Sequence, residues 1–281
     1  MRNHSHPSRL KLFNIAHRCG LTLAAVVLAS LGLGAGGGDG GTLADARRAF
    51  FDARYSEAAA LAQSLEAQAP DDLAACELRT AALLFQLKAT IGDEPDRDKA
   101  LAQCQTCAPL LASFLAAKSR GQAVARARLA ASPADDEALF YLGKIDLNYV
   151  WLQLGPLGRK TGWDEYWEAR KSLDAVLKHD PTHVRARIAR AWIDYIVDTR
   201  MPRGTRWILG GGDRKGALRT MQAAADTDAD FFVHVEALFA LWELQVRERQ
   251  LPAAMAIARR LAVDFPDNRD LAKFIEAGRL R

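Results

Sequence analysis

The stretch from Pro133 to Pro181, PADDEALFYLGKIDLNYVWLQLGPLGRKTGWDEYWEARKSLDAVLKHDP, decides the fold. Leu139, Leu142, Ile145, Leu147 and Val150 recur at the spacing of a helix that buries one stripe. Tyr166, Ala169, Leu173 and Val176 repeat that pattern in the second half. Two such helices between two prolines read as one helical hairpin. The segment between them, GPLGRKTGW, is longer than such a hairpin needs.

Outward from this unit the chain reads as more of the same, an all-α protein. Residues 42–71 pair a helix carrying Ala46, Ala49 and Phe50 with one carrying Ala58, Ala62 and Leu65, with Ser56 as N-cap of the second and Pro70 as its stop. A helix follows from about Leu73 to Lys88, another starts at the Asp96 cap, and a new one starts at Pro109 with Leu110, Leu111, Phe114 and Leu115. Residues 119–131 close that unit. Downstream, VRARIARAWIDYIV and GALRTMQAAADTDAD flank a second insertion, DTRMPRGTRWILGGGDRK. The last pair occupies 231–250 and 251–268, and residues 268–279 form a polar closing helix.

A repeat emerges on counting back from each terminating residue. Positions 12, 8 and 5 before Pro70 are Ala58, Ala62 and Leu65; before Pro181, Ala169, Leu173 and Val176; before Pro266, Ala254, Ala258 and Leu261. With Ala229 in the proline's place the offsets give Ala217, Met221 and Ala224, and before Pro133 they give the weaker set Gly121, Ala125 and Arg128. Small residues recur where paired helices approach most closely. Tyr55-Ser56-Glu57-Ala58 entering a second helix, Leu139, Leu142 and Gly143 in a first helix, and Asp180-Pro181 and Phe265-Pro266-Asp267 at unit ends make the chain resemble the tetratricopeptide repeat (TPR) family. The resemblance implies a right-handed α-solenoid of antiparallel helix hairpins, and a concave groove lined by the first helices that receives a peptide or helix of a protein partner. Tyr141, Asn148, Trp192 and Tyr195 are the groove candidates. The chain departs from the family's period of about 34 residues, since Pro133 to Pro181 and Pro181 to Ala229 each span 48.

Residues 1–36 read as a signal peptide or membrane anchor, with Arg2, Arg9, Lys11 and Arg18 before the uncharged run CGLTLAAVVLASLGLGA. Residues 37–41 are a Gly-rich stub, and 42–281 form the helical domain. The expected location is periplasmic or secreted, with inner-membrane anchoring as the alternative. Of 38 basic and 34 acidic residues the leader holds four basic and no acidic ones, so the mature chain is balanced and nothing calls for nucleic acid.

The two long units carry their insertions at the same place, between first and second helices, so both fall on one edge of a stacked array. Arg159, Lys160 and Trp163 lie in the first and Arg203, Arg206 and Trp207 in the second, followed by Gly210-Gly211-Gly212 opening a helix. Arg and Trp carry binding hot spots, and a glycine-rich helix N-terminus can receive an anion. This edge is the candidate recognition surface, for a protein or peptide partner or for a small anionic ligand; solvated arginines and core tryptophans are the bland account of the same residues. Neither glycine run matches a nucleotide signature, no catalytic grouping of the GxSxG or HExxH type occurs, and no cofactor or metal site is expected. Binding rather than bond chemistry is the expected role. Cys104 and Cys107 share a helix face, and Cys76 in the preceding helix is close enough to pair with either. A structural disulfide is expected, with a thiol-redox factor using Cys104 and Cys107 as an alternative.

Overall fold

The computed structural model describes residues 41–92 and 94–279. The leader and most of the Gly-rich stub lie outside the described residues. Among those described, the protein is all helical, with no strand.

The helices are α1 (Leu43–Phe51), α2 (Tyr55–Gln68), α3 (Leu73–Ile91), α4 (Arg97–Gln103), α5 (Cys107–Ala131), α6 (Asp136–Leu154), α7 (Trp163–His179), α8 (Val184–Arg200), α9 (Arg214–Ala225), α10 (Phe231–Arg247), α11 (Leu251–Asp264) and α12 (Arg269–Arg279). Each of α1, α3, α6, α8 and α10 starts at a side-chain cap that accepts backbone N–H bonds: Thr42, Asp72, Asp135, the His183 ring and Asp230. Such caps satisfy donors the first turn leaves open. Helices α2, α5, α7 and α11 have none.

Among the boundaries that differ from the sequence reading, three have a clear local cause. Ser56 does not cap α2, because the tight turn through Ala53, which has φ of 59°, lets the helix start at Tyr55 with Arg54 before it. Helix α5 is continuous from Cys107 to Ala131, since Pro109 falls in its first turn, where the missing N–H costs nothing. Helix α8 runs on to Arg200 and takes up the start of the second insertion.

Packing follows the counted offsets. Of the twelve residues at these offsets before Pro70, Pro181, Ala229 and Pro266, all but Leu65 are at most 2% exposed; of the weaker Pro133 set, Gly121 and Ala125 are buried and Arg128 is not. Gly143 sits where α6 meets α7: a Cβ there would lie 3.0 Å from Leu173 Cγ and 3.3 Å from the Ala169 carbonyl oxygen. Along the chain α1 packs on α2 and α3, α3 on α5 and α6, α6 on α7, α7 on α8, α8 on α9 and α10, α10 on α11, and α11 on α12. Short connections make chain neighbours antiparallel, so α3, α6, α8 and α10 run the same way.

The first helix also meets the last three. The Phe51 ring lies 5.2 Å from Phe239 and 5.6 Å from Phe265, and stacks on Phe232 at 6.3 Å. The Asn268 side-chain amide donates to the Phe51 carbonyl at 2.6 Å, and Arg48 donates to the Asp264 carbonyl while facing the Phe231 and Phe265 rings. Aromatic pairs of this kind contribute roughly 0.5–1.5 kcal/mol each beyond burial. Phe265 is fully buried in the cluster.

Candidate binding cavity

Helices α1, α3, α6, α8 and α10 surround a cavity of about 1290 Å³. That exceeds the roughly 300–1000 Å³ of ordinary small-molecule sites. Eleven aromatic side chains line it, including five of the six tryptophans: Trp151, Trp163, Trp167, Trp192 and Trp242. Nine cationic side chains line it against three carboxylates.

The charges separate into two groups. Four come one from each of the co-directional helices and satisfy one another: Glu77 of α3, Lys144 of α6, Arg185 of α8 and Glu236 of α10. Lys144 Nζ lies 2.7 Å from Glu236 Oε1 and 3.7 Å from Glu77 Oε1. Arg185 Nε donates to Glu236 Oε2 at 2.6 Å, while its other nitrogens reach Glu77 Oε2 and the Tyr141 hydroxyl, both at 3.4 Å. Its guanidinium also faces the Phe140 ring at 4.8 Å. Burial works against the Glu236 carboxylate, yet the charges of Arg185 and Lys144 hold it down at about 2. Burial likewise opposes the Lys144 and Arg185 charges, and Glu236 and Glu77 more than offset it, raising both. This quartet lines the cavity on the side where α3, α8 and α10 begin, its charged floor.

The second group gathers where these helices end. Lys88 and Arg200 lie in the last turns of α3 and α8, Arg97 opens α4, and Arg159 and Lys160 come from the first insertion. Among the described residues no carboxylate lies within ion-pair distance of these five. Arg97 packs beside Gly158, so α4 and the first insertion form one rim. Trp163 and Trp167 stand at that rim, 44% and 42% exposed.

The predicted recognition residues divide. Arg159, Lys160, Trp163 and Trp192 line the cavity. Arg203, Arg206 and Trp207 do not: Trp207 points away at 76% exposure, Arg203 is exposed, and Arg206 pairs with Asp198. Pro202, Thr205, Ile208 and Leu209 of the same insertion do reach the cavity wall, so both insertions contribute to it. Tyr141 and Tyr195, expected in the groove, are core residues 7% and 4% exposed, the latter donating to Glu248 at 2.8 Å. Asn148 does line the cavity, and donates to Thr80 at 2.9 Å.

The glycine run is not an open anion site. Asp213 caps α9 by accepting from Gly216 N, and Arg214 N donates to Asp198 Oδ2, so carboxylates of the chain already fill that N-terminus. Gly212 is required by packing: a Cβ there would lie 2.5 Å from Asp198 N on α8. Cys104 and Cys107 form a disulfide with Cα atoms 5.4 Å apart, joining α4 to α5. Cys76 pairs with neither; it is fully buried and free, with burial pushing its thiol up to about 11.

Sequence reasoning missed the quartet, Trp242 and the closure by Phe51. The only sequence signal was the concentration of tryptophan between 151 and 207. Among the described residues no single helix is long and apolar enough to cross a membrane. No family model, no curated protein and no solved structure matches this chain.

Proposed function

We propose that the chain is an exported TPR-like protein, a right-handed α-solenoid of antiparallel hairpins, that acts by binding and holds its ligand inside the curve of its first helices. The observation that carries this reading is the contact of α1 with α10, α11 and α12 through Phe51, Asn268 and Arg48. It leaves an aromatic cavity where an open TPR groove would offer a track for a partner's helix. The Cys104–Cys107 disulfide fits the oxidising compartment expected for an exported protein, and a joining role between helices favours structure over redox turnover.

A neutral apolar dye, Nile red, tests the site. Trp151→Ala with Trp192→Ala weakens dye binding at least about tenfold, the scale of two lost aromatic contacts, while Trp207→Ala leaves it unchanged. Equal loss in both variants, or none in the double variant, removes the interior site. A second reading rests on Trp207, 76% exposed in the same insertion as Arg203: the outer edge of the second insertion contacts a protein partner. Partner capture with Arg203, Arg206 and Trp207 all changed to Ala tests it, and an unchanged partner set sinks it.

A further inference from the structure

We infer that the ligand of this cavity is an amphipathic anion, with an apolar body among the tryptophans and a phosphate or carboxylate head at the rim formed by Arg97, Arg159, Lys160 and Arg200. The inference rests on the interior-binding reading and names the chemical class that site takes.

Charge distribution carries it. The three lining carboxylates are all engaged: Glu77 and Glu236 by Lys144 and Arg185, and Glu243 by Arg247 at 2.5 Å. The rim cations face the same space with no carboxylate partner among the described residues. An anion entering there meets cations without a carboxylate partner among the described residues, whereas a cation finds each described lining carboxylate already paired. Helix dipoles explain Lys88 and Arg200, which occupy C-terminal turns where cations are favoured. Arg97 likewise donates to the Gly92 carbonyl at the end of α3, at 2.7 Å. Helix ends do not explain Arg159 and Lys160, which lie outside any helix.

The apolar part follows from what separates rim from floor. Trp151 and Trp192 lie along the same helices that end at the rim, and Phe239 and Trp242 face them from α10. A small inorganic anion would leave this surface empty. The floor closes on itself through the quartet, so a second charged end on the ligand has nothing to meet there. A single head group at the mouth and an apolar body inside satisfy all three zones.

The test uses a series with one chain and three heads: dodecyl phosphate, dodecylammonium and dodecyl maltoside, each below its micellisation concentration, with inorganic phosphate alone as a fourth probe. Binding is read by quenching of tryptophan fluorescence in the full mature protein. Dodecyl phosphate is expected to bind at least tenfold tighter than the maltoside, dodecylammonium weaker than both, and inorganic phosphate weakest. Arg159→Ala with Lys160→Ala and Arg200→Ala is expected to cost roughly tenfold for dodecyl phosphate, since each exposed contact is modest, and nothing for the maltoside. That maltoside arm also shows that the variant is folded. Maltoside binding as tight as phosphate, or a triple variant that keeps its preference, overturns the anionic head and leaves the interior site standing. Inorganic phosphate binding as tightly as its dodecyl ester overturns the apolar body. If no dodecyl compound binds, the interior-binding reading itself fails. Lauric acid in place of dodecyl phosphate distinguishes a carboxylate from a phosphate head.

Discussion

The two ends of the cavity use the same residue types to opposite effect. At the floor, Lys144 and Arg185 are matched by Glu77 and Glu236, and all four side chains are less than a fifth exposed. At the rim, Arg97, Arg159, Lys160 and Arg200 have no carboxylate partner among the described residues, and Arg97 donates only to the Gly92 carbonyl. A buried cation must be answered inside the protein, since an unpaired one costs several kcal/mol. An exposed one can be left for water, or for a ligand. The difference teaches which charges hold the fold and which are free to serve it.

The contrast breaks most visibly at Arg185. Arg185→Ala leaves Glu77 and Glu236 sharing Lys144 alone and is expected to destabilise the protein by about 3–5 kcal/mol, the cost of orphaning a buried charge. Urea denaturation measures it. Arg159→Ala at the rim should stay within about 0.5 kcal/mol of the parent. Similar losses at both positions would mean that the rim charges are structural and the division is wrong.

The helices were legible in the sequence because their signal is local. Ala58, Ala169, Leu173 and Ala258 stand at fixed distances from a stop residue, and close helix approach there demands small or interlocking side chains. The quartet was not legible, because it is assembled from four helices and each member reads as one polar position in an amphipathic stripe. Phe51 and Phe265 likewise read as ordinary apolar positions of separate units; only their meeting turns a groove into a cavity. The candidate site was half legible. Tryptophan enrichment pointed to the right segment, but periodicity does not say which ring of an insertion turns inward, and Trp163 and Trp207 turn opposite ways.

A smaller effect is expected where the rim is anchored. The Cys104–Cys107 disulfide ties α4, which carries Arg97, to α5, and two residues separate its cysteines. So short a loop restricts the unfolded chain little, giving up to about 2 kcal/mol. Cys104→Ser with Cys107→Ser should therefore lower stability by no more than that and weaken dodecyl phosphate binding through Arg97, with no change at the floor. Loss of all cooperativity in unfolding would place the disulfide in the core of the fold instead of at the rim.

A pH dependence sharpens the contrast from a third place, between α5, α6 and α7. Asp146 is fully buried behind the cavity wall, accepts from Gln122 at 2.6 Å, and has no cation bonded to it. Its other oxygen lacks a donor and faces Glu168, which Arg126 holds. Burial pushes the Asp146 carboxyl up to about 8, whereas for Glu168 burial, the largest single influence, is outweighed by the hydrogen bonds from Arg126 and Asp146 together with the Arg126 and Lys118 charges, which lower it. The directions place the proton of the pair on Asp146, facing the Glu168 carboxylate. The folded state of Asp146 holds its proton more tightly than the unfolded chain, so its contribution is complete below the ordinary aspartate value of 3.8 and is lost as pH rises towards about 8. Asp146→Asn supplies the same donor permanently while its carbonyl still accepts from Gln122. The variant should match the parent near pH 4 and exceed it by a margin that widens as pH rises towards 8, with the Arg185 quartet untouched. Parallel stability curves for the two proteins between pH 4 and 8 would show that Asp146 is ionised in the fold. An unpaired charge would then be tolerated in the interior, and the line drawn between floor and rim would lose its physical basis.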